Sequence, residues 1–275
     1  MKRVAVVVLN WNGWRDTLTC VTSLQNLNYP NFDLIVVDNG STDGSQGHIE
    51  ACFNGLKVIQ TGSNLGFGGG CNVGIRRALE RRADYVWLVN SDATVDVNAL
   101  TELVRVAQEQ ALVGAVGSVL YEADQPERIQ LWGGGKVHLW TGFSRHQTSP
   151  AQLDFVSGAS MLLRREALEQ VGLFDDKTFF MYWEDSDLGF RLRQGGWQLA
   201  VAEKSRVWHK LSASLGKGSQ QLDAYFTQSG VRFLRRYSPV PAVSIFMMVG
   251  RMLMKRMLTA EFGRVKSVFN GYLRA

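Results

Sequence analysis

The chain has 275 residues, 45% of them hydrophobic and 20% charged, with 28 Gly and only 5 Pro. That apolar share can build one large domain or two small ones, which excludes wholesale disorder. Three cysteines (Cys20, Cys52 and Cys71) share no metal-type spacing and cannot form a disulfide framework, so a reduced, cytoplasmic setting is expected. The apolar run Val4–Leu9 is too short for a signal segment, and no run of about 18 apolar residues suggests a membrane span.

Short apolar runs alternate with helical patterns over about the first 120 residues, as a parallel α/β sheet requires. Strands are expected at Val4–Leu9, Asp33–Val37, Leu56–Gln60, Tyr85–Val89 and Val113–Leu120. Helices are expected at Asp16–Leu27, at Cys71–Arg82 after a glycine-rich turn, and at Asp96–Gln110. From Tyr121 to Pro150, Gly133-Gly134-Gly135 and Thr141-Gly142 break the pattern into short strands or loops. Phe155–Leu163 reads as one strand carrying a small-residue patch, Ser157-Gly158-Ala159-Ser160. A helix at Trp183–Gln194, a strand at Trp197–Val201 and a helix at Gln220–Tyr237 follow.

Polar residues cluster just past the strand ends, at Asn10–Asn12, Asp38–Asp43 and Asn90–Asp92. In open α/β sheets that edge binds ligands. Asp38-Asn39-Gly40-Ser41-Thr42-Asp43 puts a carboxylate where it could accept hydrogen bonds from a base or ribose, although the same residues also make an ordinary turn. The glycines from Gly66 to Gly74 could bring backbone close to a phosphate, or form a flexible loop. They fail the dinucleotide fingerprint, because Cys71 stands at its third glycine, and no lysine follows to make a P-loop. Asp92, past a buried strand, is placed to hold a cation against a diphosphate. Glu184, Asp185 and Asp187 crowd one helix start. They offset the helix dipole there, and the aromatics around them could dry the pocket and raise an acid towards base use. His209, after a strand, is by itself an ordinary loop histidine.

Taken together, in this order and spacing, these segments resemble the family-two inverting glycosyltransferases of GT-A fold over Val4 to Tyr237. The resemblance implies an α/β GT-A domain over 1–238 with a mostly parallel sheet. Its first half, to about 120, would bind a nucleotide-sugar, and 121–238 would carry the acceptor side and the base. Asp38 would face the nucleotide base. Asn10, Asn64, Gly66, Asn72, Asn90 and Ser91 would lie along the nucleotide-sugar. Asp92 would ligate a divalent cation, Mn²⁺ or Mg²⁺, joined by His209 of a His-x-x-x-x-Ser element ending at Ser214. Asp185 would be the general base beside Glu184, with Trp183 and Asp187 on the acceptor. The chain departs from the family pattern at Asn90, where the metal motif usually opens with Asp. Trp132-Gly133-Gly134-Gly135 is similar to bacterial transferases that move rhamnose or another hexose onto a glycan or lipid-linked acceptor of surface polysaccharide.

A sugar nucleotidyltransferase is the main alternative, but it should carry an Arg-bearing glycine loop after the first strand, where Asn10-Trp11-Asn12-Gly13 stands. A non-catalytic nucleotide-sugar-binding protein is the other. Residues 231–275 hold nine cations against Glu261 alone, so this stretch carries +8 and the remainder −3. With its Met-rich apolar content, the segment 239–275 is expected to be a basic amphipathic helical tail. It would suit an anionic membrane surface on the inner face of the cytoplasmic membrane better than nucleic acid, or it could dock on the body. Oligomeric state is left open.

Overall fold

The computed structural model describes residues 1–210 and 220–275. Its first half runs β1 (Val4–Asn10), α1 (Trp14–Gln25), β2 (Phe32–Asp38), α2 (Ser45–Cys52), β3 (Val58–Gln60), α3 (Gly66–Glu80), β4 (Tyr85–Asn90), β5 (Ala93–Val95) and α4 (Ala99–Glu109). The second half continues with β6 (Val113–Glu122), β7 (Gln125–Trp132), β8 (Gly134–His138), β9 (Phe143–His146), β10 (Phe155–Val156) and β11 (Ser160–Arg164). It closes with α5 (Arg165–Val171), α6 (Glu184–Gln194), β12 (Gln198–His209), α7 (Gln220–Tyr237), α8 (Pro241–Leu258) and α9 (Phe262–Leu273).

The main sheet has the order β3-β2-β1-β4-β11-β6-β12-β5, with β7 paired to β6. β1 to β4 are mutually parallel, as their apolar runs predict. β11 is antiparallel to β4 and β6, and β5 is antiparallel to β12, so the sheet is more mixed than expected. Alternate residues of β1 serve opposite layers. Val4, Val6 and Val8 join a core with α1 and α4, while Ala5 and Val7 join one with α3, α5 and α6. A third core lies between the small sheet β10-β8-β9 and the last helices, where Phe155, Trp183 and Phe233 meet Ile245, Met248 and Val268. Residues 239–275 therefore fold as two helices that bury one face on α7. Among the described residues, no helix is long and apolar enough to cross a membrane.

Three departures from the expected elements position the site. The glycine run is the first turns of α3, not a loop before it. Gly66 sits at φ +78°, and a Cβ there would lie 2.0 Å from the Phe180 carbonyl oxygen. Only glycine fits both the left-handed backbone and that approach. The Phe155–Leu163 strand breaks into β10 and β11 at its small-residue patch. β12 runs on to His209 through a register shift after Ala202, and so reaches β5, whose three residues are too few to show a period.

Candidate active site

Parallel pairing aligns the C-terminal ends of three strands, with Asn10 opposite Asp38 and Leu9 opposite Asn90. Asp38 is almost wholly buried and fully engaged. Asn10 Nδ2 donates to Oδ1 at 2.7 Å, Gln60 Nε2 donates to Oδ2 at 2.8 Å, and Ser41 Oγ also donates to Oδ1. Thr17 Oγ1 holds the far side of Asn10 at 2.8 Å. Asp38 and Asn10 are thus the hub that ties the loops after β1 and β2 together, with Ser41 as their outer atom.

Asn39, the residue after Asp38, staples the next loop. Its Nδ2 donates to Asn64 Oδ1 at 3.1 Å and to the Gly66 carbonyl at 3.0 Å, and its Oδ1 accepts from Leu65 N at 3.0 Å. A cleft of about 110 Å³ opens beside it, bordered by Trp11, Asn64, Gly66, Phe67, Asn90–Asp92 and Met181. Asn64, Gly66, Asn90, Ser91 and Asp92 therefore come together as expected. Asn72 does not join them. It lies on α3 and is buried there, donating to Phe174 O at 2.9 Å and to Asp176 Oδ2 at 3.1 Å and accepting from Phe174 N at 3.1 Å. That clamp holds the segment before α6 and leaves Asn72 no path to the cleft.

The β5–β12 pairing sets His209 opposite Ala93, and so brings it beside Asp92. His209 Nε2 lies 3.2 Å from Asp92 Oδ1 and 3.1 Å from Asn90 Nδ2, and Nδ1 lies 2.9 Å from Gln130 Oε1. With Gln130 Oε1 accepting, Nδ1 carries the proton and Nε2 keeps its lone pair, the tautomer a metal ligand needs. Gln130 lies 79 positions from His209 with no motif around it, so only the tertiary structure reveals it. No group of three or more His, Cys, Asp or Glu suited to a metal occurs among the described residues. One carboxylate and one imidazole could still serve a Mn²⁺- or Mg²⁺-type ion whose remaining positions diphosphate oxygens and water would fill. Ser214 lies outside the described residues.

Glu184 and Asp185 open α6 behind two residues held at positive φ, Tyr182 (+64°) and Trp183 (+68°). Left-handed backbone at bulky residues costs on the order of 1–3 kcal/mol each and needs packing to hold it. The packing comes from Phe226, whose ring centroid lies 5.6 Å from that of Tyr182 and 5.5 Å from that of Trp183, and from Phe233 at 4.9 Å from Trp183. Trp183, expected at the acceptor, is instead a buried brace of this turn. Asp187 is also corrected. It is fully buried and binds Arg191 Nε, Arg236 Nη1 and Tyr237 Oη, each at 2.7 Å, so it locks α6 to α7 and has no oxygen free for an acceptor.

Asp185 stays half-buried. Its Oδ1 accepts from Ser186 N at 2.7 Å, and its Oδ2 accepts a long 3.4 Å bond from Gly158 N. Burial pushes its carboxyl above the ordinary range, against the nearby His146 and those two amides. Glu184 is buried with Oε2 unpartnered, and burial and then the Asp185 charge push it up to about 8. Burial and the neighbouring like charge thus favour the protonated form of Glu184. The patch that breaks the strand joins the two halves of the site. Gly158 N reaches Asp185, while the next residue's carbonyl, Ala159 O, accepts from Asn90 N at 3.1 Å.

Comparison with known proteins bears on the fold and the family. N-acetylglucosaminyl-diphospho-decaprenol L-rhamnosyltransferase of Mycobacterium tuberculosis is 29% identical over 214 residues, covering 67% of this chain and 68% of that protein. Among solved structures, a Pyrobaculum calidifontis mannosyltransferase in complex with GDP-Man and Mn²⁺ superposes with a TM-score of 0.64 at 18% identity, covering 98% of this chain and 74% of that one. GalNAc-T7 with UDP, GalNAc and Mn²⁺ gives 0.70 at 15% identity, over 90% of this chain and 50% of that one. Both share the GT-A fold. The family model for glycosyl transferase family 2 matches residues 5–172, well over half of the chain, and the chain belongs to that family.

Proposed function

We propose that the protein transfers a sugar, rhamnose or another hexose, from a nucleotide-diphosphate donor to a hydroxyl of a lipid-linked glycan acceptor, inverting the anomeric carbon. The observation that carries this reading is the shared patch Gly158-Ala159, with the Asp185 carboxylate on one side and the Asn90–Asp92 strand end on the other. The donor's nucleotide would lie along Asn39, Asn64 and the outer atoms of the Asp38 hub, with its sugar towards Asn90 and Ser91. Asp92 and His209 would hold a divalent cation, which supplies charge neutralisation for the departing diphosphate. Asp185 takes the proton of the acceptor hydroxyl. The oxygen bonds to the anomeric carbon from the face opposite the diphosphate as the carbon–oxygen bond to that group breaks. The neutral Glu184 keeps a second negative charge away from Asp185.

Support for a lipid-linked acceptor comes from the rhamnosyltransferase relative, whose name specifies a diphospho-decaprenol substrate. Such a lipid would bring the enzyme to the inner face of the cytoplasmic membrane. The test is incubation with a panel of nucleotide-sugars, Mn²⁺ or Mg²⁺ and a polyprenyl-diphosphate sugar. Release of nucleoside diphosphate with an inverted product supports the proposal. Release of pyrophosphate would make the protein a nucleotidyltransferase, and binding without turnover would make it a nucleotide-sugar-binding protein.

A further inference from the structure

The α8–α9 hairpin gathers an unusual share of the molecule's exposed apolar surface. Of fifteen large hydrophobic side chains exposed among the described residues, ten lie between Val243 and Leu273. They are not scattered. At about 100° per residue, Val243, Phe246, Met247, Met254, Met257 and Leu258 fall within an arc of about 120° on α8. The opposite face, Ile245, Met248 and Val249, is the one buried with α7. On α9, Phe262, Phe269 and Leu273 form a second exposed stripe, opposite Val268 and Gly271, which pack on α7.

The cations of this stretch divide into two groups. Arg256 turns inward to Asp223 Oδ1 and Glu261 Oε2, both at 2.9 Å, and Arg264 binds the same two acids at 2.6 and 3.0 Å. On the α8 wheel Arg256 lies about 100° round from Lys255, away from the side that Lys255 and Arg251 share. The network also consumes Glu261, the one acid of residues 231–275. Arg251, Lys255, Lys266 and Arg274 remain exposed along or beside the apolar stripes. The outer surface of the hairpin is therefore apolar in the middle and cationic at its border, with no opposing carboxylate.

We propose that this outer face of α8 and α9 docks in the interface of an anionic lipid bilayer, with Phe246, Met257 and Leu258 inserted shallowly and Lys255 and Lys266 at the headgroups. Charge decides against a second copy of the chain, because a two-fold contact would set these cations against one another with no acid between them. Anionic lipid offers the complementary surface, at about 1 kcal/mol per basic residue, and the apolar stripe adds burial. The hairpin's buried side is also close to the catalytic turn. A Cβ at Gly230 of α7 would lie 2.8 Å from Met248 Sδ and 3.1 Å from Trp183 Nε1, so about one helix layer separates α8 from the residue before Glu184.

The proposal stands on the hairpin alone, and its test reads no sugar transfer. The full chain is floated with vesicles of phosphatidylcholine, and of phosphatidylcholine mixed with phosphatidylglycerol, at low and high salt. Binding is expected only with the anionic vesicles and should weaken with salt. Lys255→Gln with Lys266→Gln should reduce it about 30-fold, from about fivefold per cation. Phe246→Ser with Met257→Ser and Leu258→Ser should abolish it while leaving the melting temperature in place, because those side chains point outward. Three results would overturn the proposal: no flotation with anionic vesicles at low salt, equal flotation with both vesicle types, or unchanged flotation of the serine variant. A dimer that the serine variant dissociates, without vesicle binding, would assign the face to a second copy.

Discussion

Asp185→Asn separates basicity from structure more cleanly than any other change in the site. The amide can keep the 2.7 Å bond from Ser186 N, so the side chain loses only the long 3.4 Å contact to Gly158 N, worth at most about 1 kcal/mol. It also removes a carboxylate whose charge burial disfavours, and relieves Glu184 of that neighbouring charge. The folded variant should therefore be at least as stable as the parent. Asp185 does not border the cleft of Asn64 and Asp92, so affinity for nucleoside diphosphate should hold. Turnover should fall by on the order of 10²–10⁴, which is about 3–5 kcal/mol of transition-state stabilisation. The assay is nucleoside diphosphate release at saturating donor, with melting curves and diphosphate binding on the same preparation. Turnover within tenfold of the parent, or a loss of activity that tracks a large drop in melting temperature, would refute the assignment.

Asp92→Ala and His209→Ala should each abolish the extra melting-temperature rise that Mn²⁺ gives a nucleoside diphosphate, and Gln130→Leu should weaken it about 10–100-fold in metal affinity by freeing the His209 tautomer. A normal rise in Asp92→Ala would remove the metal assignment. Asp187→Ala should cost about 3–5 kcal/mol, read as a melting temperature lower by roughly 6–20 °C, because it takes the carboxylate from Arg191, one of two carboxylates from Arg236 and the partner of Tyr237 Oη; normal stability would place Asp187 outside the α6–α7 lock. Because Glu184 is raised from 4.5 to about 8 on folding, its contribution to stability is full below pH about 4.5 and disappears as pH rises through about 8. Glu184→Gln should therefore flatten the fall in stability between those limits, worth at most about 5 kcal/mol, and an unchanged slope would count against the buried neutral acid. Gly66→Ala should destabilise by about 1–3 kcal/mol through clash with Phe180 O, measured by denaturant unfolding.

Three of the parallel strands, β1, β2 and β4, were legible because buried runs of four to six apolar residues ending in Asn or Asp carry their own signal. The polar strand ends were legible for the same reason, and the order of Asp38, Asn90–Asp92, Glu184–Asp185 and His209 pointed to the family. What the sequence could not decide was which of those polar residues face the ligand. Asn72, Trp183 and Asp187 carry the right chemistry in the right neighbourhood, yet their partners Phe174, Phe226 and Arg236 turn them into structural fastenings. Periodicity says which face of an element is apolar, but it does not say what packs there. The pairing of β5 with β12 and the Gln130 contact join residues some 80 to 120 positions apart through three-residue or bulged segments with no local signature. The tail divides the same way. Its charge excess was plain in composition, but only the packed helices show that Arg256 and Arg264 are neutralised within the fold by Asp223 and Glu261, leaving a cationic rim around an apolar face. A charge's effect depends on the carboxylates within a few ångströms of it, and those distances are set by tertiary packing.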